Sequence, residues 1–219
     1  MKEHAFIFDL DGTLIDSLTD IALCANKVLE EFSLPTHSID DYKTFVGGGA
    51  EVLIENCTPT NSPKELIQEV LKQFKVVYDQ NLQGNTQPYE GIYELLEELK
   101  NQNYKLGVLS NKPHKFTLKY VEEFFSSYNI SEAHGQKEDV PKKPDPAGAI
   151  DIANSFDIPY ENVYFIGDSD VDMQTAKNAG MIAVGVKWGF RGIDELLENG
   201  ADFIVDTPLD VLKLLNQNK

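Results

Sequence analysis

A short apolar run ending in paired aspartates opens this chain: Ala5-Phe6-Ile7-Phe8 leads into Asp9-Leu10-Asp11-Gly12-Thr13. Four consecutive apolar residues without polar alternation describe a strand buried on both faces, as in parallel sheets covered by helices. The pattern recurs late in the chain, where Val163-Tyr164-Phe165-Ile166 runs into Gly167-Asp168-Ser169-Asp170-Val171-Asp172. Similar runs predict strands at 105–109, 182–186 and 203–205. Helices are predicted between and after them, at 90–101, 115–125, 146–156, 171–178, 193–199 and 209–216. In the first of these, Ile92, Leu95, Leu96 and Leu99 follow the i, i+3, i+4, i+7 rule of a one-faced helix. Strands alternating with helices predict an α/β fold, a doubly wound parallel sheet of Rossmann-like type.

One stretch breaks the alternation. Between the first strand and Lys105 the pattern is helical: Leu18, Ile21, Ala22, Ala25, Leu29 and Phe32 form one stripe, and Leu66, Ile67, Val70, Leu71, Phe74 and Val77 another. Ser62-Pro63-Lys64-Glu65 predicts a helix start with a Ser cap and Pro in the first turn. Residues 82–88, LQGNTQP, predict a linker. The expected organisation is an α/β core of residues 1–15 and 88–219 with an inserted helical cap of residues 16–87. An insertion directly after the first strand is a candidate lid, because α/β sheets bind ligands at the carboxyl ends of their strands.

Composition narrows the function. The 219 residues carry 36 Asp and Glu against 19 Lys and Arg, a net charge of −17 that repels nucleic acid and anionic lipid. Arg191 is the one arginine, so a phosphate site must rely on a metal, lysines, hydroxyls and backbone N–H groups. Cys24 and Cys57 match neither a disulfide framework nor zinc spacing, and are expected to be small buried residues. With no run of about 18 apolar residues and no secretory leader pattern, the expectation is a cytoplasmic protein with no membrane or nucleic-acid partner, monomeric or homodimeric.

Asp9, Asp11 and Asp168 each fall at the carboxyl end of a predicted strand. In a parallel sheet those ends share one edge, so the three acids can converge, and hard oxygen donors suit Mg²⁺. Without a cation such a concentration of like charge costs several kcal/mol, to an order of magnitude. Asp172 lies one helical turn beyond Asp168, while Asp170 reads as an acid favoured at a helix start. Ser110 and Asn111 offer a hydroxyl and backbone N–H groups beside a strand end, or are an ordinary helix cap. Lys143, ahead of Pro144, is held in an extended loop. Gly47-Gly48-Gly49 reads equally as an anion nest or a helix end. Trp188 lines a site rim or packs in the core.

Taken in chain order, DLDGT with Asp9 and Asp11, then Ser110, Lys143 and GDSDVD with Asp168 and Asp172, resemble the four motifs of the haloacid dehalogenase-like hydrolase superfamily. The helical insertion stands where that family carries its type-1 cap. VLSNKP, KKPDP, GDSDVDMQTAKNAG and FVGGG are most similar to the phosphoglycolate phosphatase group, which also holds pyrophosphatases and nucleotidases. The resemblance implies a Mg²⁺-dependent phosphatase acting on a small phosphorylated metabolite. Phosphoglycolate is the favoured substrate, with inorganic pyrophosphatase and 5′-nucleotidase activities as alternatives. It implies Asp9 as nucleophile through an aspartyl-phosphate and Asp11 as general acid and base. Asp9, the Asp11 carbonyl and Asp168 would hold the metal, with Asp172 and Ser169 behind them orienting bound water. Ser110, Asn111, Lys143 and Thr13 would secure the phosphoryl group and its loop, and Lys43, Gly48 and Gly49 in the cap would touch the rest of the substrate. The acid at Asp11 argues against carbon–halogen cleavage, and a cap without arginine argues against a mutase. A non-enzymatic alternative is a phospho-accepting signalling domain; such domains have adjacent first acids and no insertion, unlike Asp9-Leu10-Asp11 here.

Overall fold

The structure is a computed structural model describing residues 4–81 and 84–215. Residues 1–3, the linker positions Leu82 and Gln83, and Asn216 at the end of the last predicted helix lie outside the described residues. In chain order β1 (Ala5–Phe8) and the two-residue β2 (Ile15–Asp16) precede α1 (Leu18–Glu31), α2 (Tyr42–Phe45), α3 (Ala50–Cys57) and α4 (Lys64–Gln80). There follow β3 (Gln87–Pro88), α5 (Ile92–Asn101), β4 (Lys105–Pro113), α6 (His114–Phe125), β5 (Ile130–Gln136) and α7 (Ala147–Phe156). Then come β6 (Val163–Gly167), α8 (Asp170–Asn178), β7 (Ile182–Val186), α9 (Ile193–Glu198), β8 (Phe203–Val205) and α10 (Val211–Leu214). The chain divides into two compact units, Met1–Ile15 with Pro88–Lys219, and Asp16–Gln87.

The first unit is a doubly wound α/β sheet. Its strands are parallel in the order β5-β4-β1-β6-β7-β8. The chain builds outward from β1 through β4 to β5, then returns to β1's other side and builds through β6, β7 and β8. The winding therefore reverses between β1 and β6, and such a reversal leaves a crevice at the strands' carboxyl ends. Asp9 and Asp168 immediately follow these two strands. β1 is buried on both faces: Ala5 and Ile7 join a cluster with Ile152 and Ala153 of α7, Met173 and Ala176 of α8, and Leu196 of α9. On the opposite face Phe6 stacks on Tyr164 with ring centroids 5.2 Å apart and meets Tyr104 edge-on at 5.3 Å. Gly107 of β4 lies under α7, where an added Cβ would come within 2.8 Å of Ile152.

Two strand predictions need correction. β4 does not stop at Leu109 but continues to Pro113, because β5 pairs with it as far as Pro113↔Gln136. β5 itself was not predicted: Ile-Ser-Glu-Ala-His-Gly-Gln is a half-buried edge strand whose polar residues hide the apolar signal. The last predicted helix is a 3₁₀ turn, Pro208–Asp210, followed by the short α10.

The second unit is helical, with α1 packed on α4. Ile21, Ala22, Ala25 and Leu29 of α1 and Val70, Leu71, Phe74 and Val77 of α4 are buried, as their periodicity requires. α4 begins one residue later than predicted: Pro63 is the cap, and the Ser62 hydroxyl donates instead to the Pro59 carbonyl. Buried Asp20 gathers the end of this unit, accepting from the backbone N–H groups of Asn85 and Thr86 and from both their side chains. Cys24 and Cys57 are buried and unbridged. Among the described residues no helix is long and apolar enough to cross a membrane.

Candidate active site

β1 ends by passing its ladder to Asp9, whose N–H donates to the Ile166 carbonyl at 2.8 Å. The chain then curls: Leu14 and Ile15 donate back to the Leu10 carbonyl, and Gly12 donates to Ile15. Gly12 is required here twice. Its φ is +86°, and an added Cβ would fall within 2.6 Å of Asp168 Cγ. A Cβ on Gly189 would lie 2.7 Å from the same carbon, so two glycines open the space that the Asp168 carboxylate fills.

Asp168 is held from several sides. Phe190 N–H donates to Oδ2 at 2.8 Å, and the fully buried Thr13 hydroxyl donates to Oδ1 at 3.3 Å. Trp188 donates its indole N–H to the Thr13 carbonyl at 2.9 Å. Its ring is half-buried, so its role is to tie the loop after β7 to the loop after β1 rather than only to fill core. The Phe190 N–H was not foreseen, since a backbone donor leaves no mark in the sequence.

Asp172 is fully buried and caps α8. Ser169 N–H and Oγ donate to Oδ2 at 3.0 and 2.6 Å, and Asp168 N–H donates to the same oxygen at 3.2 Å. Its other oxygen lies 2.6 Å from Lys143 Nζ. That ammonium also stands 2.8 Å from Asp9 Oδ1, within ion-pair distance. Lys143 is placed by Asn111, whose amide accepts from the Lys143 N–H at 2.9 Å and donates to its carbonyl at 3.1 Å. Ser110, buried in β4, accepts from Lys112 N–H at 3.2 Å.

The carboxylates that come together are Asp9, Asp168 and Asp172, with one oxygen of each within 4.8 Å of the others. The Asp11 side chain is not in that group. It is forked by Lys112, whose Nζ lies 2.9 and 3.0 Å from its two oxygens. Strand geometry would put Asp9 and Asp11 on one face, but the curl that begins at Leu10 ends that geometry. The sequence does not single out Lys112, because Ser-Asn-Lys-Pro resembles a loop and nothing local marks a partner 101 residues away.

Lys43, Gly48 and Gly49 belong to the helical unit. Lys43 is partly exposed and pairs with Asp40 at 2.8 Å. Gly49 caps α3 with φ +90°, and a Cβ on Gly48 would strike Val52. The helix-end reading of the glycines therefore applies at Gly49.

The cluster's charge is unbalanced. Ionised Asp9, Asp168 and Asp172 against Lys143 leave two uncompensated negative charges in a buried place. Burial pushes the Asp9 carboxyl up from 3.8 to about 7 despite the pull of Lys143, with Asp172 adding to the rise. Burial, with Asp172 and Asp9, raises Asp168 well above the usual carboxylate range. Burial would lower the Lys143 ammonium, but Asp172 and Asp9 outweigh it and hold the charge. A divalent cation matches this donor set in both charge and ligand hardness.

The sign of the resulting pH dependence is fixed. Asp9 titrates higher in the folded chain than in the unfolded one, so the metal-free fold loses stability as pH rises from about 4 to about 7. A divalent cation bound at the cluster would displace those protons, so the gain in melting temperature on adding Mg²⁺ is expected to be larger at pH 8 than at pH 6. Thermal unfolding with and without Mg²⁺ at the two values checks this; an equal gain at both would contradict it.

Comparison with known proteins agrees with this architecture. Residues 6–186 match the model of the haloacid dehalogenase-like hydrolase family. The phosphoglycolate phosphatase of Mannheimia succiniciproducens is 33% identical over 215 residues, covering 95% of this chain and 96% of that protein. The phosphoglycolate phosphatase of Aquifex aeolicus is 31% identical, covering 98% of each. The crystal structure of a predicted phosphoglycolate phosphatase from Haemophilus somnus superposes with a TM-score of 0.89 at 31% identity, covering 98% of this chain and 99% of that one. A sheet wound outward from β1, acids at the crevice it creates and a sequence match across 6–186 have one common explanation: the chain belongs to the haloacid dehalogenase-like hydrolase family.

Proposed function

We propose that the chain is a Mg²⁺-dependent phosphatase that hydrolyses a small phosphomonoester, with phosphoglycolate as its substrate. The observation that carries the reading is Asp9. Its buried carboxylate stands at the end of β1 with Oδ1 2.8 Å from the Lys143 ammonium and beside Asp168 and Asp172, the setting of an ionised nucleophile next to cationic charge. Relatives about 30% identical over most of the chain and named phosphoglycolate phosphatase support the choice of substrate. The division into a core of 1–15 and 88–219 and a helical cap of 16–87 belongs to the same reading.

Asp9 attacks phosphorus, an Asp9–phosphorus bond forms, and the ester P–O bond breaks. Asp11 gives its proton to the departing alkoxide. Water then attacks the aspartyl-phosphate and returns a proton to Asp11, and Asp9 leaves as a carboxylate. Ser110 Oγ–H, Asn111 N–H and Lys143 Nζ hold the phosphoryl oxygens as charge shifts among them. Asp172 keeps Lys143 aimed, with Ser169 fixing Asp172 in turn. Thr13 steadies Asp168 against the first loop. Asp9, Asp168 and the Asp11 carbonyl would hold the divalent ion, which would supply neutralising charge for the phosphoryl oxygens.

A panel of phosphoglycolate, pyrophosphate, nucleoside monophosphates and 4-nitrophenyl phosphate tests the proposal. Activity is expected to vanish with a chelator and return with Mg²⁺. Phosphoglycolate is expected to exceed 4-nitrophenyl phosphate in kcat/KM by about 100-fold. A preference for pyrophosphate or a nucleotide would keep the chemistry and replace the substrate.

A further inference from the structure

We propose that Lys112 is a positioning residue that sets the Asp11 carboxyl in line with the leaving oxygen. This rests on the reading of Asp11 as the acid and base of the reaction. Lys112 projects from the end of β4, with its side chain only 4% exposed, and its ammonium bridges both Asp11 oxygens at 2.9 and 3.0 Å. The same ammonium lies 5.1 Å from the centre of the Tyr120 ring, whose face contributes a further attraction. Burying an ammonium is costly, and a strand tip is an easy place to avoid the cost by pointing a lysine into water. Here it is buried against one particular carboxylate, 101 residues away in sequence.

The pair restricts Asp11 where restriction matters. The Asp11 side chain is 18% exposed and follows Asp9 on the loop that curls away from β1. A two-pronged contact with a buried ammonium selects one rotamer. A misplacement of about 1 Å in a reacting group costs about 100-fold in rate. β4 also links this contact to the phosphoryl-binding side: the Lys112 N–H donates to Ser110 Oγ, so one strand end places both the proposed phosphoryl donor and the partner of Asp11. Lys143 occupies the other side of the site, between Asp9 and Asp172, so the two lysines divide the labour.

Leaving-group dependence separates this role from a plain structural ion pair. In kcat/KM the first phosphoryl transfer is decisive, and a proton donor matters most when the leaving oxygen is strongly basic. Phenyl phosphate and 4-nitrophenyl phosphate share a ring but differ in that basicity. Lys112→Met is expected to lower kcat/KM for phenyl phosphate by about 100-fold, and for 4-nitrophenyl phosphate by about 10-fold less than that. Lys112→Gln, too short to fork Asp11, is expected to show the same selective loss, so the result does not depend on one variant's folding. Lys112→Arg, which restores a two-pronged donor, is expected to recover most of the phenyl phosphate activity. Equal losses on both esters, or no loss on either, would overturn the positioning role. A wild-type protein that cleaves neither these esters nor phosphoglycolate, pyrophosphate or a nucleoside monophosphate with Mg²⁺ would instead overturn the phosphatase reading beneath it.

Discussion

Asp9→Asn is expected to lower kcat by about 10⁴-fold or more while the protein folds as well as before. The amide is almost the same size but is a far poorer nucleophile, so the aspartyl-phosphate cannot form at a useful rate. Stability should move the other way. Asp9 is a carboxylate held in a buried cluster that already carries excess negative charge, and burial pushes it up to about 7. Replacing it removes one of those charges and leaves Lys143 paired with Asp172. The metal-free variant is therefore expected to melt at or above the parent's temperature near pH 8, with a smaller gain from Mg²⁺. Turnover and thermal unfolding on the same preparation check both halves. A variant that stays active would remove Asp9 from the reaction. One that is inactive but markedly less stable would make Asp9 a structural residue.

Lys143→Met is expected to do opposite things to stability and the same thing to activity. The ammonium has a side-chain exposure of 2% and lies within ion-pair distance of two buried carboxylates. Taking away one partner of such a cluster leaves the others uncompensated, a change that costs about 3–5 kcal/mol. Activity should fall by at least about 100- to 1,000-fold, the usual loss when a donor to developing charge is deleted. Because the damage is electrostatic, it should be partly reversed by removing a carboxylate. Asp9→Asn combined with Lys143→Met is expected to unfold at higher denaturant than Lys143→Met alone, a non-additivity characteristic of groups in contact. Denaturant unfolding of the parent, both single variants and the double variant checks this; strictly additive losses would mean that the two side chains do not share a charge balance.

The parts of the fold most legible in the sequence are those whose burial is visible locally. β1, β7 and β8 are short apolar runs, and their predicted limits coincide with the observed ones. α5 declares itself through Ile92, Leu95, Leu96 and Leu99, all fully buried. β5 was illegible because an edge strand with one solvated side needs few apolar residues. The end of β4 was illegible for a related reason: Ser110, Asn111, Lys112 and Pro113 are typical of turns, and β4 runs through them across a break in register before pairing with β5 resumes at Pro113. Within the adjacent lysines, Lys142 is exposed and Lys143 is buried, a difference that composition cannot express.

The same division runs through the site. The order of residues carries the alternation of elements, the acids after β1 and β6 and the family to which the chain belongs. These are readable because hydrophobic period and motif spacing are properties of neighbouring residues. It is the folded arrangement that brings Asp172 rather than the Asp11 side chain to Asp9 and Asp168, and that gives Lys112 to Asp11 and Lys143 to Asp9. The reason is the range of the forces involved. An ion pair depends on distance in space, and the partners here lie 101 and 29 residues apart for Lys112–Asp11 and Lys143–Asp172, so the winding of the sheet had to bring them together before the choice existed.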